Sequence, residues 1–348
     1  MHLEITKEDL QYVMSVLRTF KAKCKTKSTA LCIIFQQDCS KLIYSSEGFF
    51  LKFTCDYISE FTGEYSVDIE FIKNLLNLFT DGIIEIDFRD QLIVAHQGDV
   101  TFKGTILGRA KYDYFNIKEE ELEELPLELS LSNKLLSLNL EEMGFESRDP
   151  YMHLYNINKN HLIKMSSFCA LFQTLEEEVS CEATLTQDIL SICSVVNDTA
   201  RYYKYNNSFY ICDDKLEIKA PLANLKFPSL DIIINKIKQD SETFIVKSAD
   251  LLDMCEKCYV LNLPNKINRL DVVFKNGLIM YSYNKVLSGS VESGLDIDYK
   301  MSFNPLLMRG ILKYINEECI KIRKNKLTNS ILIYNLDETI MFMLALCR

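Results

Sequence analysis

At 348 residues the chain is long for one hydrophobic core, so two or three domains are expected. With 48% hydrophobic and 25% charged residues it is globular, which excludes a disordered or fibrous chain. A formal net charge of −10 excludes a uniformly basic nucleic-acid binder and leaves the placement of its 39 Lys and Arg as the informative quantity.

Thr6 precedes KEDLQYVMSVLRTF, whose Leu10, Val13, Leu17 and Phe20 fall on one side of a helix that runs into KAKCKTK. A second helix is predicted from Asp68, with Ile72, Leu75, Leu76 and Phe79 as its apolar stripe, Asp68 as cap and Asp81-Gly82 as stop. Three strand-like runs follow, IIEIDF, QLIVAH and VTFKGTIL, broken at Arg89-Asp90 and Gln97-Gly98-Asp99. The acidic KEEELEELPLE, around residues 118 to 128, reads as a solvated connector.

Ser132 precedes the next helix, NKLLSLNLEEM. From Thr186 comes TQDILSICSVVND, with Leu185, Ile189, Ile192, Cys193 and Val196 as its stripe, and then ARYYKY, SFYICD and LEIKAPL. A second connector is expected near INKIKQDSE, around 234 to 242. Ser248 precedes ADLLDMCEKCYVL, in which Leu251, Met254, Cys255 and Cys258 share a side. Asn304-Pro305 gives a cap and a first-turn proline to NPLLMRGILKYIN, striped by Leu307, Met308, Ile311, Leu312 and Ile315. CIKIRK, SILIYN and TIMFMLAL complete the chain.

The helices beginning near Asp68, Thr186 and Asn304 are separated by two equal intervals of 118 residues. The chain is therefore an α+β protein of three tandem modules, each helix, strands, helix, strands, at 1–120, 126–238 and 242–348. Alternating side chains in IIEIDF imply a sheet with one face under helices and the other in water.

Three such modules resemble the bacterial β sliding clamp, the DNA polymerase III β subunit family. The likeness spans the chain through MHLEITKEDL, YSVDIEFIKNLLNLFTDGIIEIDF, LANLKFPSLDII and MSFNPLLMRGILKYI, in order and spacing. It implies half of a closed ring, two antiparallel-sheet-backed helices per domain, a homodimer around double-stranded DNA, and a DNA polymerase and a clamp loader as partners. A ring holds DNA by topology, so weak phosphate contacts suffice and no base contacts are needed.

On helix faces away from the stripes lie Lys7, Arg18, Lys73, Lys134, Arg309 and Lys313, and Lys21, Lys23, Lys25 and Lys27 follow the first helix. Each taken alone reads as a solvated helix face, but together, on one side of pseudo-equivalent helices in an acidic chain, they are the expected DNA-facing cations. The second helix of the middle module carries Asp188 and no Lys or Arg. Lys321, Arg323, Lys324 and Lys326 alternate along a strand and its turn and read as outer solvent-facing residues.

The resemblance further implies a peptide-binding pocket of Leu171, Phe227, Pro228, Ile232, Ile233, Ile331, Met343, Leu344, Ala345 and Leu346 between domains two and three. It also implies a dimer interface setting Phe102 against Val260 and Leu261 of a second copy. Ordinary core packing is the competing reading of these apolar residues. The chain departs from the family at Ser166-Ser167-Phe168-Cys169-Ala170-Leu171 and in its tail MLALCR. A divergent clamp, encoded by a phage or mobile element or paralogous to the main one, accounts for both changes.

Enzymatic chemistry is not expected. Cys255-Glu256-Lys257-Cys258 lacks the second pair a zinc site needs, and its sulfurs continue a helical stripe. Nothing matches a phosphate-cradling loop or a nucleophile elbow, and His2, His96, His153 and His161 lack ligand spacing, so no cofactor or metal is expected. The twelve cysteines read as reduced, mostly buried thiols. No run approaches the roughly 20 apolar residues of a membrane span. The start lacks a secretory pattern, so a cytoplasmic location without membrane contact is expected. Two rivals remain: a clamp-fold interaction module that no longer encircles DNA, and a thiol or metal enzyme centred on Cys255 and Cys258.

Overall fold

The computed structural model describes residues 1–21, 30–36, 39–46, 48–57, 62–108, 117–138, 150–239, 241–261, 268–295, 297–325 and 328–347. The first third runs β1 (His2–Thr6), α1 (Lys7–Lys21), β2 (Ala30–Phe35), β3 (Ser40–Ser46), β4 (Phe49–Cys55), β5 (Gly63–Asp68), α2 (Ile69–Leu78), β6 (Ile83–Arg89), β7 (Leu92–Gln97), β8 (Val100–Gly108). The middle third repeats the order: β9 (Leu122–Glu124), α3 (Leu129–Ser137), β10 (Leu154–Asn158), β11 (His161–Met165), β12 (Cys169–Thr174), β13 (Glu182–Thr186), α4 (Gln187–Cys193), β14 (Arg201–Tyr205), β15 (Ser208–Cys212), β16 (Leu216–Pro221). An added helix, α5 (Asp231–Lys238), follows. The last third is β17 (Glu242–Lys247), α6 (Ser248–Leu261), β18 (Leu270–Lys275), β19 (Leu278–Tyr283), β20 (Leu287–Glu292), β21 (Tyr299–Phe303), α7 (Pro305–Ile315), β22 (Cys319–Lys324), β23 (Ser330–Tyr334), β24 (Ile340–Ala345).

The repeat extends to the hydrogen-bonded ladders. The strand that opens each third pairs antiparallel with the first strand after its second helix, as β1·β6, β9·β14 and β17·β22. The strands flanking the rest of each first half pair likewise, as β2·β5, β10·β13 and β18·β21. Left-handed residues close the tight turns where the sequence supplies them. Asn276 and Gly277, at φ 51° and 73°, join β18 to β19, the backbone a two-residue hairpin requires.

Two compact units form, and both draw on the middle third. One comprises Met1–Asn133 and Asp188–Leu222. It holds a twelve-stranded sheet, ordered β1-β6-β7-β8-β5-β2-β3-β4-β16-β15-β14-β9. The α1 stripe is fully used, with Leu10, Val13 and Leu17 at 1% exposure or less. Phe20 stacks on Phe49 with ring centroids 3.7 Å apart. On the polar side of α1, Tyr12 donates to Asp213 at 2.6 Å, tying the helix to the β15–β16 turn.

The other unit comprises Lys134–Gln187 and Ala223–Arg348. It holds an eight-stranded sheet, ordered β13-β10-β11-β12-β24-β23-β22-β17, and a four-stranded sheet, β20-β19-β18-β21. Helices α6 and α7 pack on each other. Leu251, Met254, Cys255 and Cys258 from one, and Leu307, Met308, Ile311 and Leu312 from the other, are essentially solvent-free.

Several local expectations shift. Both predicted connectors are structured, because each contains apolar residues that find a sheet. KEEELEELPLE supplies β9, which pairs with β14, and Leu125 and Leu127 beyond it are buried. INKIKQDSE overlaps α5, whose Ile234 and Ile237, three apart, pack inward. Ser132 lies inside α3 and does not precede it. Leu185 belongs to β13, and α4 is only seven residues long. Helix α2 stops at Leu78, where the Phe79 N–H returns to the Leu75 carbonyl, ahead of Asp81-Gly82.

The caps at Asp68 and Asn304 stand: their side chains accept from the Glu70 N–H at 3.0 Å and the Leu306 N–H at 2.9 Å. Replacing Asn304 with Ala is expected to lower stability by about 1 kcal/mol in urea unfolding, whereas Asn304→Asp, an equivalent acceptor, leaves it unchanged.

Candidate nucleic-acid interface and peptide pocket

Most of the predicted DNA-facing cations among the described residues are engaged by neighbouring helices. Lys7 donates to the Phe79 carbonyl at 2.8 Å and lies 3.5 Å from Asp81, so it satisfies the C-terminal end of α2. Lys73 pairs with Glu70 one turn back on α2. Lys134 sits 4.8 Å over the Tyr314 ring, and partial burial holds its pKa below the ordinary lysine value. Arg309 and Lys313, four apart on α7, meet the Glu256 carboxylate of α6 at 2.9 and 2.6 Å. Arg18 projects from α1 into solvent. The Lys21 side chain and all of Lys23, Lys25, Lys27 and Lys326 lie outside the described residues. Lys321, read as outer, donates to the Leu336 carbonyl at 2.6 Å and meets Glu338 at 3.1 Å, while Arg323 donates to Thr243.

The ten predicted pocket residues divide between the two faces of the eight-stranded sheet. The register Cys169↔Leu344↔Ile331 puts Leu344 and Ile331 on the face that Leu171 shares, all at 1% exposure or less. Leu346 is buried just beyond β24. The register Ala170↔Met343↔Leu332 forms the opposite face, where Met343 and Ala345 lie.

Phe227 packs on that second face among Met165, Ala170, Phe172, Ile234, Ile237, Leu332 and Tyr334. Tyr151 meets the Phe227 ring edge-on at 5.3 Å. Pro228, Ile232 and Ile233 are exposed beside this cluster, Ile232 at 81%. Phe168, just before β12, is 58% exposed, and its carbonyl accepts from the Ala345 N–H at 2.9 Å. Sequence reasoning missed Ala170, Phe172, Leu332 and Tyr334. Each is one or three positions along the strand from Leu171 or Ile331 and so faces the other way, a difference that continuous apolar runs do not mark in the sequence.

The expected interface residues are apolar and accessible in different degrees. Phe102, on β8, stacks on Phe71 at 5.2 Å, a contact for which Gly104 leaves room on the same strand. Val260 and Leu261, at the end of α6, are 80% and 38% exposed.

Cys255 and Cys258 are buried at 0% and 1%, and burial raises both thiols, that of Cys258 to about 12. Such thiols stay protonated at neutral pH and are poor nucleophiles or metal ligands. Among the described residues no group of three or more His, Cys, Asp or Glu is placed to hold a metal, and no helix is long and apolar enough to cross a membrane.

The entire chain is similar in fold to solved DNA polymerase III β subunits. A putative β subunit from Eubacterium rectale matches with TM-score 0.84 and 13% identity over 100% of both chains. The β chain from Streptococcus pneumoniae matches at 0.81 and 16% over 100% of this chain and 99% of that one. The Helicobacter pylori β clamp bound to a DNA ligase peptide matches at 0.80 and 13% over 100% of both. No protein-family model and no curated protein sequence matches the chain. The chain therefore has the β-clamp fold, mixed α and β with antiparallel sheets, on a sequence far from these neighbours.

One buried cation ends on a carbonyl and a hydroxyl. Lys164 on β11, 4% exposed, donates to the Leu138 carbonyl at 3.1 Å and to the Tyr155 hydroxyl, which itself donates to the Leu135 carbonyl at 3.4 Å. It thereby caps the C-terminal end of α3, and burial lowers its pKa from 10.5 to about 7. The folded state thus binds fewer protons here than the unfolded chain between pH 7 and 10.5. This residue's contribution is fully present above 10.5, is lost as pH falls toward 7, at up to roughly 1.4 kcal/mol per pH unit, and is level below. In urea titrations across that window, Lys164→Met is expected to remove this slope relative to the parent protein.

Proposed function

We propose that the chain is a sliding clamp: a non-enzymatic ring of two copies that encircles duplex DNA and tethers a replicative polymerase. The observation that carries this reading is the pattern of junction strands. The eighth strand of the middle third, β16, pairs with the fourth strand of the first, β4. The eighth strand of the last third, β24, pairs in the same antiparallel sense with the fourth strand of the middle, β12. The rule leaves one strand of each kind over, β8 and β20.

Among the described residues, β20 has only β19 as a neighbour, and β8 along Val100–Thr105 has only β7. An unpaired edge invites pairing, and a second copy supplies the complementary one at both ends. Phe102 on β8, with Val260 and Leu261 beside the last module's sheet, is the proposed apolar part of that contact. On this reading the modules are 1–120, 126–238 and 242–348, and the protein acts in the bacterial cytoplasm with a separate clamp loader.

The docking site for partner peptides is proposed at Phe227, Met343 and Ala345, rimmed by Pro228, Ile232 and Ile233. Leu171, Ile331, Leu344 and Leu346 support it from the opposite face or the strand end. The Helicobacter neighbour bound to a DNA ligase peptide supports this class of occupant. An apolar surface with a few accessible anchors suits a short motif.

A second reading, a clamp-fold module that binds partners without encircling DNA, is favoured by the pairing of Lys7, Lys73, Arg309 and Lys313 with acids or carbonyls.

Retention on DNA separates the two. After loading onto a closed circle, a clamp stays bound in high salt and is lost once the circle is linearised; equal loss from both forms selects the second reading. Met343→Glu, which sets a charge on the Phe227 face, is expected to weaken binding of a polymerase-derived peptide at least tenfold by fluorescence anisotropy while leaving dimer mass unchanged.

A further inference from the structure

We infer that Glu256 is a built-in brake on phosphate attraction, keeping the α6–α7 face near neutral so that a nucleic-acid backbone passes without being gripped. The inference rests on the clamp reading. Both cations that α7 offers end on this one carboxylate, Arg309 Nε at 2.9 Å from Oε2 and Lys313 Nζ at 2.6 Å from Oε1. Their i, i+4 spacing on α7 aims them at a single point on the neighbouring helix.

The guanidinium also lies 4.1 Å over the Tyr259 ring, which fixes it against α6. One turn earlier on α6, Asp253 holds Lys257 at 2.5 Å. The charged residues of the two helices are Asp250, Asp253, Glu256 and Lys257 on α6, and Arg309 and Lys313 on α7, three of each sign. Lys313 and then Arg309, both at ion-pair distance, hold the Glu256 carboxyl below its ordinary range, so the brake remains charged at neutral pH.

The consequence is competitive. A phosphate oxygen reaching Arg309 or Lys313 meets a charge already paired with Glu256, so the gain from each contact is small. Shallow, interchangeable contacts let a ring move along DNA, because the cost of leaving one phosphate register for the next is low.

The test is duplex binding by the full-length protein, read as anisotropy of a short labelled duplex over a range of salt. Glu256→Gln is expected to bind roughly 5-fold tighter at low salt, with log K against log salt steeper by about 1. Glu256→Asp, which keeps the charge, is expected to stay near the parent. Asp298→Asn makes the same change of net charge away from these helices, where Asp298 lies 4.0 Å from Lys275, and should leave binding unchanged.

Failure of Glu256→Gln to tighten binding, while Arg309→Ala with Lys313→Ala weakens it, overturns the brake and leaves the clamp reading intact. The same gain from Asp298→Asn overturns the brake as a mere net-charge effect. If removing both cations in the Glu256→Gln background leaves its binding unchanged, duplex DNA does not meet this face and the brake is overturned, while retention on a closed circle tests the clamp reading separately.

Discussion

An open strand edge is the constraint on which this structure depends. A module of eight strands exposes backbone donors and acceptors at its margins, and each must find a partner, a cover or water. The chain answers by repetition, with β4 taking β16 and β12 taking β24. Sheets that would end at a module boundary continue across it. The compact units consequently cut through the middle third, because the ladders joining repeats are as regular as those within them.

The linking segments contribute as well. β9 lies at the margin of the twelve-stranded sheet, and its acidic residues include Glu123, paired with Lys204 at 3.2 Å. A short, charged margin strand discourages further pairing there. Helix α5 instead covers sheet with Ile234 and Ile237 and leaves Ile232 and Ile233 in water beside Phe227. The same eight-residue helix therefore closes one part of an apolar face and leaves another accessible.

Charge is managed locally. The chain is acidic overall, and on α2, α6 and α7 the basic side chains are matched by carboxylates within the helix or on its neighbour. Half-exposed pairs of this kind add little stability. Their larger effect is on the surface field, which is weaker than the count of lysines and arginines suggests.

The sequence by itself determined the repeat, its interval, the buried stripes of α1, α6 and α7 and the caps at Asp68 and Asn304, because periodicity and capping are local and are written in neighbouring residues. It also placed Cys255 and Cys258 in the core by their helical spacing. Only the tertiary structure decided which face of β12, β23 and β24 each apolar residue occupies, since continuous runs such as ILIY and IMFMLA have no alternation to read and one residue of register reverses the assignment. It likewise decided that Arg309 and Lys313 share Glu256, a pairing across more than fifty residues of chain that no local pattern records.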